Sequence, residues 1–246
     1  MHKRHLCREE DGRHRFLQGH PVRRKAARRG PALEGAREVI PNDGVYEAYS
    51  YAKAPVQAPG DPAAEYGTGE DCLYLNIWKT HEAAAGKKPV MVWIYGGAFD
   101  VGGATDPQYD CSSFIRENPD VIVVTISYRV SFFGFFHLSH LPDGKDYPDA
   151  QNLGLLDQLM ALKWVHENIA GFGGDPGNVT IFGESAGAAS CSLLPLIKGA
   201  QQYFKRVISQ SGAPAQTRST EQAIAIEQHH EGAWLQDRRR PAEGQR

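Results

Sequence analysis

Val179-Thr180-Ile181-Phe182-Gly183-Glu184-Ser185-Ala186-Gly187 is the stretch that decides the fold of this 246-residue chain. An apolar, β-branched run leads straight into Gly-x-Ser-x-Gly, and a helix-compatible run follows from Ala186 to Leu196. Strand, sharp turn and helix in that order lift a serine hydroxyl to the apex of the turn, an arrangement called a nucleophile elbow. Such a hydroxyl attacks poorly at neutral pH unless a base takes its proton and donors hold the oxyanion that forms. The plainer reading makes Ser185 a helix N-cap, and the pentapeptide alone is a weak signal. Its surroundings strengthen it.

Upstream, Pro89-Val90-Met91-Val92-Trp93-Ile94-Tyr95 reads as a buried strand that runs into Gly96-Gly97-Ala98-Phe99. Small residues at that point let backbone N–H groups approach a substrate oxygen, and Gly-x-Ser-x-Gly enzymes combine such donors with the N–H that follows the serine. The candidate catalytic set is therefore Ser185 as nucleophile, with the N–H groups of Gly97, Ala98 and Ala186 as an oxyanion hole. An ordinary strand-to-loop turn at Gly96-Gly97 is the competing reading.

Periodicity places further strands at Leu73 to Trp78, Val121 to Tyr128 and Arg206 to Gln210. Between them, Gly154 to Ile169 carries Leu155, Leu159 and Leu162 at helical spacing, which predicts an amphipathic crossover helix. Strands alternating with helices predict an α/β architecture, a mostly parallel sheet with helices on both faces.

Glu70-Asp71-Cys72-Leu73-Tyr74-Leu75-Asn76-Ile77-Trp78 and the run from Phe172-Gly173-Gly174-Asp175-Pro176 through Gly187 resemble the two signatures of type B carboxylesterases. Tyr128-Arg129-Val130, Gly134-Phe135, Asn152 to Gln158 and Gln210-Ser211-Gly212 fit the same family, so the resemblance runs from about Asn42 to Ile226. Thr80 departs from the usual end of the first signature, and Ala98 stands where a third glycine is frequent. The resemblance implies an α/β-hydrolase fold and ester hydrolysis through an acyl-enzyme on a small-molecule carboxylic ester.

It also implies that much is missing from this chain. The family's domain is about twice this length, and its orienting acid and basic histidine follow the nucleophile well downstream. After Ser185 the only histidines are His229 and His230, which fall in a polar tail behind a short helical stretch capped by Ser219. They are read as tail residues. Ser211 resembles a residue that supports the triad acid, and without that acid it is expected to be only a buried hydroxyl. The expected organisation is a basic head over residues 1–38, the front part of an α/β-hydrolase domain over 39–228, and a polar tail over 229–246. The expected chain is an inactive fragment.

The first 37 residues hold eleven Lys plus Arg against four Asp plus Glu, and the remainder sixteen against twenty-five. A basic arm on an acidic body suggests contact with nucleic acid or an anionic surface, or a solvated tail. A further reading is that the head is out of frame: codons can be chosen for Asp11 to Gly35 so that a one-base shift yields a Gly-Ile-Pro-Tyr-Ala segment resembling the family's opening. The same exercise on Glu231 to Arg246 yields a plausible continuation. Neither a nucleic-acid partner nor a membrane is expected. No apolar stretch follows Met1 as a secretory signal requires, so a cytoplasmic location is expected.

Cys7, Cys72, Cys111 and Cys191 form no disulfide framework, and neither a metal-binding cysteine or histidine cluster nor a phosphate-cradling loop is present in the sequence. No metal or cofactor is expected. The alternative class is a non-catalytic adhesion protein on the same fold, as in the family's neuroligin-like members, against which Ser185 and its glycine-rich loop speak. Salt-dependent binding through the basic head is the third class.

Overall fold

The computed structural model describes residues 33–36, 50–80, 87–214 and 217–225. Five strands form one sheet: β1 (Leu75–Trp78), β2 (Lys88–Ile94), β3 (Ile122–Ile126), β4 (Gly174–Glu184) and β5 (Arg206–Gln210). Their spatial order is β1-β3-β2-β4-β5, with only the β1 and β3 pair antiparallel. Helices α1 (Ser112–Glu117), α2 (Ser131–Phe135), α3 (Leu153–Asn168) and α4 (Ala186–Leu193) connect them. This is the mostly parallel α/β sheet that the alternation predicts.

The central strands form where the sequence is continuously apolar, because helices shield both faces of a parallel sheet from water. All five residues of β3 are buried, as are Val90, Val92 and Ile94 on β2. Leu162 and Val165 of α3 close over one face and share the core with Val179 and Ile181 of β4. α3 ends in a turn of 3-10 helix at Ile169–Phe172, closed by Gly173 in the left-handed region at φ 88°.

One element differs from expectation. The run from Ala186 to Leu196 is not one helix: α4 stops at Leu193 and Leu194–Leu196 tightens to 3-10. Pro195 has no N–H to continue the α ladder. β4 is irregular at Asp175-Pro176-Gly177. Lys88 pairs with Gly174 and Val90 already pairs with Val179. The intervening residues bow out, with the Gly177 N–H donating to the Asp175 carboxylate at 2.9 Å.

A buried ion pair ties the loop after β3 to α3. Arg129 donates to Asp157 from Nε and Nη2, both at 2.7 Å, and from its backbone N–H at 3.1 Å. Its Nη1 donates to the Glu34 carbonyl at 2.8 Å, and Ala36 packs against Cys72 and Leu73. Glu34 and Ala36 thus lie against the body of the domain. Most of the basic head and the polar tail with His229 and His230 lie outside the described residues. Before that tail, Ser219 caps a helical stretch over 220–225: its Oγ accepts from the Gln222 N–H and the Gln222 Oε1 accepts from the Ser219 N–H.

β5 pairs with β4 along one edge, yet Val207 and Ile208 are 38% and 43% exposed and every residue of the strand is open to solvent. Apolar strands of parallel sheets are ordinarily covered on both faces. Among the described residues no helix is long and apolar enough to cross a membrane.

Candidate active site

Ser185 sits where β4 turns into α4, with φ 54° and ψ −120°. An L-residue held there costs on the order of 1–3 kcal/mol and persists only where its surroundings enforce it. Two contacts enforce it. The Ser185 N–H donates to the Gln210 carbonyl at the end of β5 at 2.9 Å. On the other side, α4 crosses so close to β2 that a Cβ on Gly187 would collide with the Ile94 carbonyl oxygen and stand 2.7 Å from that of Tyr95. The Ser185 side chain makes no capping bond to α4, so the N-cap reading does not account for it.

The glycine-rich loop after β2 lies against this turn. A Cβ on Gly96 would be 3.2 Å from the Ser185 Cβ and 2.9 Å from the Glu184 carbonyl oxygen, so only glycine lets the two loops meet. Gly97 (φ 104°), Ala98 (φ 58°) and Phe99 (φ 64°) are all left-handed. The Gly97 carbonyl accepts from the N–H groups of Asp100 at 2.9 Å and Val101 at 3.0 Å. In a trans peptide the carbonyl and the next N–H point in opposite directions, so the Ala98 N–H faces away from the turn. The N–H groups of Gly97 and Ala98 have no partner among the described residues. The N–H of Ala186, first in α4, can have none within the helix, and the helix dipole there favours negative charge.

Loop and fold are joined beneath the site. Tyr95 and Tyr128 stack with ring centroids 4.2 Å apart, and each hydroxyl donates to the other's carbonyl, at 2.5 and 2.8 Å. Burial pushes the Tyr95 phenol well above its ordinary value, so it remains a neutral donor. The Ser131 N–H donates to the Phe99 carbonyl at 2.6 Å, fixing the far limb of the loop to the start of α2. The Tyr109 phenol is pushed up to about 12, first by burial and then by the carboxylates of Asp106, Asp61 and Glu184.

The carboxylesterase family profile matches residues 35–235. The chain belongs to the carboxylesterase family. It is 50% identical over 156 residues to the para-nitrobenzyl esterase of Bacillus subtilis (strain 168), and 45% identical over 166 residues to the fumonisin B1 esterase of Sphingopyxis macrogoltabida. Those matches cover 63% and 65% of this chain and 30% of each relative. A carboxylesterase of Geobacillus stearothermophilus, solved at pH 6.2, superposes with a TM-score of 0.78 at 43% identity, covering 89% of this chain and 44% of that one. A thermophilic PNB esterase does so with a TM-score of 0.78 at 39% identity. The chain thus spans less than half the length of these relatives and carries part of the α/β-hydrolase fold.

Within this carboxylesterase-family chain, Ser185, Gly97, Ala98 and Ala186 come together at one end of β2 and β4. Two of the described histidines are engaged elsewhere: the His137 Nδ1 lies 3.1 Å from the Ser139 Oγ, and His166 meets the Tyr203 ring edge-on. Ser211 departs from expectation. It is exposed and left-handed at φ 59°, because nothing described covers the end of β5. Its neighbour Gly212 is what touches the elbow: a Cβ there would collide with the Ser185 carbonyl oxygen and stand 2.6 Å from the Ala188 Cβ. Gln57, which grips the far limb of the glycine loop, carries no motif that a sequence reading could use. Among the described residues, no group of three His, Cys, Asp or Glu side chains could hold a metal ion.

Proposed function

We propose that this chain carries the nucleophile and the oxyanion hole of a serine carboxylic-ester hydrolase that works through an acyl-enzyme. The observation that carries the proposal is the contact between two strained loops, Ser185 at φ 54° and the Gly97-Ala98 turn with outward N–H groups.

Ser185 Oγ attacks the ester carbonyl carbon while a base removes its proton, and the carbonyl electron pair moves onto oxygen. The N–H groups of Gly97, Ala98 and Ala186 hold that oxyanion. Its collapse expels the alcohol, which takes the proton back from the base. Water then attacks the acyl-Ser185 carbonyl by the same route and releases the acid. In the family that the sequence resembles, the base and its orienting acid follow the nucleophile well downstream, and the hydroxyl of Ser185 meets no base among the described residues. The substrate class is a small-molecule carboxylic ester, a reading supported by relatives that are named as esterases and a carboxylesterase, and the 246 residues alone are expected to be inactive.

The test is hydrolysis of a short p-nitrophenyl ester by the full-length protein, together with labelling by an organophosphate. Turnover and label should both depend on Ser185, with Ser185→Ala costing several orders of magnitude in kcat. Hydrolysis unaffected by that substitution defeats the assignment. A folded protein with neither turnover nor label returns the chain to the non-catalytic reading.

A further inference from the structure

Gln57 is separated by 45 residues from the glycine-rich loop, yet it grips that loop with both ends of its amide. The Gly102 N–H donates to the Gln57 Oε1 at 2.6 Å, and the Gln57 Nε2 donates to the Gly102 carbonyl at 3.0 Å. The side chain therefore satisfies one residue's backbone as a neighbouring strand would.

The gripped residue is a junction. Gly102 is left-handed at φ 109°, and a Cβ on it would stand 2.8 Å from the Tyr95 ring and 2.9 Å from the Gly96 carbonyl oxygen. Gly96 in turn abuts the Ser185 Cβ. Immediately before Gly102, the Val101 N–H holds the Gly97 carbonyl, whose direction sets that of the Ala98 N–H on the same peptide plane. A shift at Gly102 thus passes through Val101 to the Gly97-Ala98 peptide. The segment that carries Gln57 is itself anchored: Ala54 exchanges backbone bonds with Gly67 and Gly69, and the Thr105 Oγ1 donates to the Ala63 carbonyl at 2.7 Å.

We infer that Gln57 is a positioning residue for the oxyanion hole, holding the Gly97 and Ala98 donors at the place the oxyanion occupies before substrate arrives. The inference rests on the ester-hydrolase reading of the site. Donors preset in this way act on the transition state more than on the bound ester, because the charge they meet is absent from the ground state.

The experiment compares Gln57→Ala and Gln57→Glu with the unaltered full-length enzyme, with Ser185→Ala as control. Gln57→Ala should lower kcat by about ten- to a hundred-fold, as misplacement of catalytic groups by about 1 Å does, with KM little changed. It should weaken a trifluoromethyl ketone, which forms a Ser185 oxyanion, by the same factor. In Gln57→Glu the carboxylate still accepts from the Gly102 N–H but repels the Gly102 carbonyl, whereas the protonated acid can serve both. Its kcat relative to the unaltered enzyme should therefore climb as pH falls from about 8 toward 5, approaching the ordinary glutamate range near 4.3. That ratio decides the matter if the alanine variant fails to fold. Unchanged kcat in folded Gln57→Ala, or a pH-independent ratio in Gln57→Glu, overturns the inference. Loss of Ser185 dependence overturns instead the reading beneath it.

Discussion

The backbone N–H of Ser185 donates to the carbonyl of Gln210 at 2.9 Å, so the strained turn at the end of β4 hangs from the last residue of β5. Neither residue is near the other in sequence. Gly212, two residues past Gln210, then passes under the elbow with no room for a side chain. The Gln-Ser-Gly motif is therefore a support for the elbow as much as the end of a strand.

Gly212→Ala should displace that support. A methyl group there meets backbone and the Ala188 Cβ rather than a flexible side chain, and overpacking of this kind costs about 1–3 kcal/mol. The full-length enzyme should lose thermal stability and organophosphate labelling at Ser185 together. A variant with an unchanged melting temperature and labelling rate contradicts this.

At Ala98 the substitution series separates space from hydrogen bonding. Ala98→Gly suits φ 58° and keeps the N–H, so turnover should hold. Ala98→Pro deletes the donor and demands a φ near −65°, and loss of one oxyanion donor typically costs on the order of a hundred- to a thousand-fold in kcat. Comparable kcat in a folded Ala98→Pro enzyme removes Ala98 from the site.

Arg129 and Asp157 are both buried and paired. Removing one partner strands the other's charge, which costs about 3–5 kcal/mol for buried pairs. Asp157→Asn should be strongly destabilising in urea titration, and Arg129→Met with Asp157→Leu together should recover part of the loss. Equal stability of the single variant and the unaltered protein argues against a charged pair.

Burial pushes the thiols of Cys191 and Cys111 up to about 12, with the Asp110 carboxylate adding at Cys111. An unfolded thiol ionises near 8.5, so the folded state binds the proton more tightly. The contribution is whole below that pH and is lost as pH rises through about 12. Urea midpoints should fall over that window, and Cys191→Ala should flatten the fall. A midpoint that rises with pH there reverses the sign and rejects the account.

Expressed alone, the 246 residues should aggregate and show no ester turnover. Val207 and Ile208 on β5 are exposed, and β5 has no partner on its outer edge among the described residues; such edges recruit other chains. Light scattering and p-nitrophenyl acetate assays read this directly, with His229→Ala and His230→Ala as controls. Turnover abolished by either control would place a tail histidine at the base.

Local chemistry dictates a large part of this fold. Apolar runs such as Ile122 to Ile126 make central strands wherever they are placed, and glycines around Ser185 and at Gly96-Gly97 mark the turns that a bulky residue could not make. The strands, the crossover helix and the turns that carry the four candidate site residues were legible for that reason. Which distant groups hold those turns in place emerges only once the chain is folded. The Gln57 amide on Gly102, the Gln210 carbonyl on Ser185 and the Arg129 guanidinium on the Glu34 carbonyl are bonds to backbone atoms. Every residue offers the same backbone atoms, so no side-chain pattern announces which one will be met. The exposure of Ser211 and β5 likewise follows from what lies beside them in space, a property that no local run of residues encodes.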